Sequence, residues 1–476
     1  CAFSVKGVVR MLDQIARLLG PDAEFLRGEA GLGAYRTDKS GLVGRLPLAV
    51  VRPASVQDVQ AVCRVVHQAA LDGLQPPVAI VPRGGGTGLS GGAVPVGPSI
   101  VLDMTTLDRI GPAVPDTGLV HCQAGVTIDR LNRLYASEGL FFPVMPTGAG
   151  ETATVGGVIS TNARGMYAMK YGSAGDNVCS LDCVLSDGRL VRLGHDVRES
   201  SSGLNLAPLL VGAEGTLAVI VAATVRLHPR PVSEASVFLA FDDPGDAARA
   251  CAVLRRASPA IAALELVSRG TVELINRVIP DSGFPRGKTV LMLSVHSDSW
   301  SDTQVDTSWL DLLDDPGHSP VTRWSPDRAQ APWEARHRFT GVISEMSDEG
   351  RPVRLDPAVG LENLGGYVDW LERAASDLGG HERICIFGHA GVGLLHILLA
   401  TGAPPLWPRE TAEAFRRAAI KHAIELGGTV TGEHGVGMAA IDLSAIENAP
   451  SMNLMSTIKH TLDPNGIMNP GKVLCG

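Results

Sequence analysis

Valines at 56, 59, 62, 65 and 66 recur at the three-to-four-residue spacing of a helix face, with Ser55 before them and Asp58 in the first turn. That pattern predicts a capped, amphipathic helix. Short apolar runs at 78–81, 100–102 and 119–122 predict buried strands, and Thr127 stands where it can cap a helix over 128–135. Such alternation reads as α/β packing. A strand over 215–226 precedes Pro229-Arg-Pro231, which predicts a domain boundary near 231. Beyond it the period changes. Strands are expected at 237–241, 262–266 and 289–295, and helices at 244–256, near 329–346 and at 360–378. Residues 384–387 and 394–399 flank a glycine-rich turn at 390–393 and predict a β-hairpin. A helix over 409–426 then leads to a strand carrying Glu433 and His434. No internal repeat is visible.

The hairpin would bring His389 and His396 together despite the residues between them. Downstream, Thr431-Gly-Glu-His-Gly-Val-Gly437 sets a carboxylate and an imidazole side by side between glycines. Two histidines, a carboxylate and a further histidine are the kit for a divalent-metal site with a built-in proton acceptor. Taken alone, His389 and His396 also fit ordinary strand histidines with satisfied hydrogen bonds. A second chemical signal is Pro82-Arg-Gly-Gly-Gly-Thr-Gly-Leu-Ser-Gly-Gly92, whose backbone N–H groups could cradle an anion with help from Thr87 and Ser90. No Gly-Lys-Ser/Thr closes this loop, so it is not a P-loop, nor does it fit a dinucleotide fingerprint. Two further small-residue segments follow, 146–157 and 160–165.

A chain of 476 residues should hold two or three domains, each with its own core. The net charge of −9, with no basic run, argues against nucleic acid as a partner. The cysteines at 1, 63, 122, 179, 183, 251, 385 and 475 include no Cys-x-x-Cys pair, which suggests reduced thiols of an intracellular protein. No apolar run reaches 18 residues, and the start lacks a signal-peptide core, so a soluble protein is expected.

Several ordered motifs identify a family. They are Val-Pro-Arg-Gly-Gly-Gly-Thr-Gly at 81–88, Gly-Leu-Phe-Phe-Pro at 139–143, Lys-Tyr-Gly at 170–172 with Asp176-Asn-Val178, and Gly-Ala-Glu-Gly-Thr-Leu at 212–217. Arg336-His337, Thr431 to Met438 and Asp463-Pro-x-Gly-x-Met-Asn-Pro-Gly-Lys472 complete the set. From about Leu46 to Leu474 the chain resembles the FAD-dependent 2-hydroxy-acid dehydrogenases of the vanillyl-alcohol-oxidase-like superfamily, most nearly the D-lactate dehydrogenase (cytochrome-type acceptor) branch. The resemblance implies an α+β fold: a two-lobed FAD-binding domain of vanillyl-alcohol-oxidase/PCMH type over 1–231, and a substrate or cap domain with an antiparallel sheet and flanking helices over 232–432. A C-terminal segment, 433–476, would return to the FAD domain.

It also implies non-covalent FAD, because the glycine loop holds neither His nor Cys. The implied FAD contacts are Pro82, Arg83, Gly84, Gly85, Gly86, Thr87, Gly88, Leu89, Ser90, Pro146, Thr147, Gly148, Gly150, Thr154, Gly156, Gly157, Ser160, Asn162, Gly165, Tyr171, Gly172, Glu214, Gly215, Ile220 and Asn469. His389, His396 and Glu433 would hold Zn or Mn, His434 would be the base, and Arg336 with Arg354 would face the substrate. Electrons would pass to a cytochrome, a quinone or an electron-transfer flavoprotein. A cytoplasmic protein is expected, with peripheral attachment at the inner membrane and a homodimer as open alternatives.

The chain also departs from the family. Relatives usually read Gly-His-x-Gly-Asp-Gly-Asn-x-His, where this chain has Val392 and Leu394. Both changes remove polar groups from the expected metal hairpin. Arg164-Gly165 replaces a usual Gly-Gly, and apolar Ile397-Leu398 after His396 favours a small or apolar substituent at C2. Two other readings stay open: a flavin-binding redox scaffold with a decayed hairpin, and an enzyme like alkylglycerone-phosphate synthase.

Overall fold

The Ser55 hydroxyl accepts from Asp58 N, and the Asp58 carboxylate accepts from Ser55 N at 2.8 Å, so a capping box closes the first turn of the helix Val56–Leu71. Such a cap stabilises a helix by about 1 kcal/mol. Val59, Val62, Cys63, Val65 and Val66 form the buried stripe that the valine spacing predicts. The architecture comes from a computed structural model that describes residues 5–29, 31–145, 149–197, 199–297, 308–313, 322–324, 330–347, 351–379, 384–402 and 406–474.

The chain divides into two units. The first comprises Cys1–Arg164, Ser173–Pro229 and Glu433–Gly476, and the second Gly165–Gly172 and Arg230–Gly432.

The first unit contains two main sheets. One is ordered Glu24–Leu26, Ala49–Arg52, Ser99–Asp103, Ala79–Arg83, with its last three strands parallel. Its strands are short and apolar because both faces are covered. Val8, Met11 and Ile15 of the helix Val5–Leu18 join Val59, Val62 and Val66 in the core over Ile80, Ile100 and Leu102. Each fully buried aliphatic side chain there contributes roughly 1.5–3 kcal/mol. The chain's last segment enters the same core: Ile467 and Met468 are fully buried, and Met468 pairs in parallel with Ile80 on the sheet's edge strand. The other sheet is antiparallel, ordered Ile110–Val114, Leu119–Gln123, Val219–Arg226, Val178–Val184, Leu190–Gly194. The strand expected over 215–226 starts only at Val219. Gly215 has φ +73° and turns the chain before the strand begins.

In the second unit a seven-stranded antiparallel sheet runs in the order Thr322–Arg323, Ser233–Phe241, Thr289–Ser297, Ile261–Val267, Ile384–Gly388, His396–Leu399 and Val353–Leu355. The predicted hairpin is present, with a single 3-10 turn at Ala390–Val392 and Gly393 at φ +73°. One face carries Leu239, Leu291, Leu293, Leu264, Leu266, Ile386 and Ile397, all buried. The expected strand at Glu433 and His434 does not form. Thr431 makes one bridge to Asp356, and the chain then bends through Gly435 at φ +78° and Gly437 at φ +48°, which extended backbone cannot adopt. Among the described residues, no helix is long and apolar enough to cross a membrane.

Candidate active site

Within the first unit the glycine loop is flush with a neighbouring turn. A Cβ on Gly84 would lie 2.3 Å from Thr154 Oγ1, and one on Gly85 would lie 1.8 Å from Thr152 O. Only glycine permits that approach. Arg83 is drawn back, donating to Thr37 O at 2.8 Å with its guanidinium over the Tyr35 ring. Among the described residues, no protein group accepts from the backbone N–H of Gly84, Gly85, Gly86, Thr87, Gly88, Leu89 or Ser90. Unpaired N–H groups in a row need an acceptor, and a diphosphate supplies several. The loop therefore fits the cofactor that the resemblance implies.

The other expected cofactor residues of this unit have structural partners. Pro82 is the next-to-last residue of the edge strand Ala79–Arg83 and lies 3.1 Å from where a Cβ on Gly215 would sit. Gly150 O accepts from Asp129 N, and the Thr154 hydroxyl caps the short helix Val155–Ser160 through Gly157 N. Gly156 packs on Ala124, Ser160 Oγ donates to Gly156 O, and Asn162 Oδ1 accepts from Gly175 N. Ile220 is buried in the strand Val219–Arg226. Asn469 Nδ2 bridges Gly92 O and Glu214 O at 2.9 and 2.7 Å. Pro146, Thr147 and Gly148 lie outside the described residues.

His434 follows in the same unit on a loop tied at both ends. The Ser90 hydroxyl contacts His434 O at 3.0 Å and Gly435 O at 2.8 Å, and Ser90 O accepts from Met438 N and Ala439 N. The Glu214 carboxylate accepts from Val436 N at 2.7 Å and Gly437 N at 3.0 Å. Burial pushes the Glu214 carboxyl up to about 7, against the pull of those N–H groups and of Lys472. Burial likewise brings the Lys472 ammonium down to about 8, against the attraction of Glu214 and Asp38.

The second unit builds a different arrangement. Strand register places Glu234, His296, Glu265, His396 and Arg354 on one face of the seven-stranded sheet. The helix Ala331–Met346 lies across that face. Trp333 Nε1 donates to Ser236 Oγ, Arg336 reaches Glu265, and Ser344 Oγ accepts from Arg354 Nη2 at 2.8 Å. Burial pulls the Arg354 guanidinium below its ordinary value.

Glu265 is the centre of this face. One oxygen takes Arg336 Nη2 at 2.9 Å and Nε at 3.2 Å, and the other takes His389 Nδ1 in a very short contact. It is 1 % exposed, and burial would raise its carboxyl, but His389 and Arg336 outweigh that and hold it at about 2. When the imidazole is neutral, a carboxylate on Nδ1 favours the Nδ1–H tautomer and turns Nε2 into the lone-pair donor, the orientation found behind metal-ligating histidines. The His389 and His396 rings stand 5.1 Å apart, nearly perpendicular. The polar support that Val392 and Leu394 cannot give the hairpin thus comes from another strand. Sequence reasoning missed Glu265; its signal was a lone carboxylate in the apolar run Ala262-Ala-Leu-Glu-Leu266.

Gly165, Tyr171 and Gly172 group with the second unit, where Tyr171 OH meets His296 Nδ1 at 2.9 Å. The expected site residues are therefore shared out. Loop 82–90, Glu214, Asn469, Glu433 and His434 belong to the first unit, and Arg336, Arg354, His389 and His396 to the second.

Residues 47–194 match the FAD binding domain, and residues 230–473 match the C-terminal domain of FAD linked oxidases. The chain belongs to the FAD-linked oxidase family. The chain is 34% identical over 432 residues to a D-lactate dehydrogenase of Archaeoglobus fulgidus, covering 89% of this chain and 91% of that protein. It is 28% identical to the glycolate oxidase subunit GlcD of Bacillus subtilis, across 97% of this chain and 96% of that one. Its fold is shared with p-cresol methylhydroxylase, at a TM-score of 0.75 and 17% identity, over 99% of this chain and 98% of the other. The vanillyl-alcohol-oxidase-like α+β fold expected from the motifs is the one observed, and the protein is an FAD-dependent oxidoreductase.

Proposed function

We propose that this flavoprotein oxidises a D-2-hydroxy acid of D-lactate type to the 2-oxo acid and hands the electrons to an acceptor other than NAD. The observation that carries the reading is the Glu265 centre, which sets a lone-pair imidazole and a guanidinium against one carboxylate. The D-lactate dehydrogenase likeness over most of the chain supports it.

Bound FAD supplies the two-electron acceptor for the hydrogen at C2. The unpaired N–H groups of 84–90 would hold its diphosphate, without a covalent tether from this loop, where neither His nor Cys stands. His434 accepts the hydroxyl proton as the C2 hydrogen leaves with its electron pair, so a ketone forms and charge balances. Arg354, with Arg336 oriented by Glu265, binds the substrate carboxylate. His389 and His396, with Glu433 as third donor, suit Zn or Mn, which would lower the pKa of the substrate hydroxyl. The fixed Nδ1 of His389 supports that assignment.

Anaerobic mixing of the yellow holoprotein with D-lactate, L-lactate, D-2-hydroxyglutarate and glycolate tests the reading. Bleaching of the oxidised flavin by D-acids, lost with chelator and in His434→Ala, is expected. Bleaching by the L-acid alone, or undiminished in His434→Ala, refutes it.

A further inference from the structure

The hydroxyl of Ser90 points away from any role as an anion ligand. The Ser90 backbone N–H belongs to the unpaired row of the glycine loop, yet its Oγ sits between His434 O and Gly435 O, at 3.0 and 2.8 Å. Its carbonyl accepts from Met438 N at 2.8 Å and Ala439 N at 3.2 Å. One residue thus holds both sides of the loop that bears His434, and it is 7 % exposed. Glu214 closes the rest. Its carboxylate takes the N–H groups of Val436 and Gly437, and its own backbone oxygen is held by Asn469 Nδ2. The approach is too close for side chains. A Cβ on Gly437 would fall 2.0 Å from Ser90 O, and one on Gly435 would fall 2.7 Å from Glu214 Oε1.

We propose that Ser90 is a positioning residue that couples the diphosphate loop to the base: occupancy of the 84–90 loop by FAD fixes the His434 loop through the Ser90 hydroxyl and carbonyl. The inference rests on His434 as the base and on FAD at the loop. Its physical content is a shared residue. An anion that immobilises the Ser90 N–H also immobilises the groups that hold residues 434–439, and by linkage the order of that loop feeds back on FAD affinity. The base is then in place only when the cofactor is.

Amide hydrogen exchange and flavin reduction test this together, on full-length protein with and without FAD. In the wild type, FAD should slow exchange across 434–439. Ser90→Ala should keep FAD with a Kd within about threefold of wild type, because the backbone N–H remains, but should lose that protection. Its flavin reduction should slow by about 10–100-fold, the cost of misplacing a reacting group by roughly 1 Å. Ser90→Ala in a His434→Ala background should cost nothing more, because the group it positions is gone. Ser90→Thr, which keeps the hydroxyl, should recover the rate. The proposal is overturned if Ser90→Ala reduces as fast as wild type, if its loss multiplies with that of His434→Ala, or if it loses FAD as its main defect. Wild-type reduction in His434→Ala alone would refute the base assignment, and exchange over 434–439 would still decide whether the loops are coupled.

Discussion

Replacing Glu265 with Gln keeps the side chain's shape and removes its charge. Arg336, 4 % exposed, then keeps its guanidinium buried against a neutral amide, and His389 loses the acceptor that fixes its tautomer. Breaking a buried ion pair by removing one partner costs about 3–5 kcal/mol. Gln retains one carbonyl acceptor, so about 3 kcal/mol is expected. All six tryptophans lie between 300 and 407, inside the second unit, so their emission follows that unit alone. With a urea m-value of about 2 kcal/mol/M, the midpoint should fall by roughly 1.5 M. Arg336→Met alone strands the carboxylate and should cost a similar amount. The double variant removes both charges and should be more stable than the sum of the two losses implies, by about 2 kcal/mol. Strict additivity, or a midpoint for Glu265→Gln within about 0.2 M of wild type, would refute the claim that one carboxylate organises this face.

The same pair sets a pH dependence. The folded Glu265 carboxyl sits at about 2 against an ordinary 4.5, so its stabilisation is complete above 4.5 and is lost as pH falls through about 2. The gap in urea midpoint between wild type and Glu265→Gln should therefore stay constant from pH 7 to 5 and narrow towards pH 3. A gap that widens on acidification would mean the sign is wrong. Gly85→Ala puts a Cβ 1.8 Å from Thr152 O and should lower FAD affinity by about 10–100-fold in a flavin-fluorescence titration. Gly88→Ala meets only Asp38 Oδ2 at 3.5 Å and should leave the melting temperature of the FAD-free protein within about 2 °C. His396→Gln should reduce bound Zn or Mn, measured by elemental analysis after dialysis, to below about a tenth of wild type, while leaving FAD content unchanged.

Local signals made much of the fold legible. The Ser55–Asp58 box, the valine stripe behind it and the hairpin around His389 and His396 depend on residues close in sequence, and these were readable. The Val155–Ser160 helix was not, because its Gly156-Gly157 disfavours helix, and Gly156 packs too close to Ala124 for a side chain. Glu433 and His434 were expected on a strand after the helix over 409–426, but Gly435 and Gly437 at positive φ turn the chain. Glu265 was hidden for a different reason. Its partners stand 71 and 124 residues away, and only strand register and the placement of the helix Ala331–Met346 bring them to it. The motif histidines and the glycine loop could be named from sequence; the carboxylate that orients one of them could not.

The first unit's last pieces also have an order in time. Ile467, Met468 and Asn469 close the edge of the strand Ala79–Arg83, and Lys472 Nζ reaches Val94 O. On a ribosome adding about 5–20 residues per second, some 12–50 s separate the emergence of Pro229 from that of Asn469. Throughout that interval the nascent first unit carries an open, apolar strand edge, the kind of surface that recruits other chains. Chaperone capture during synthesis, and sensitivity to translational stalling between those positions, should therefore fall on this unit's unfinished edge.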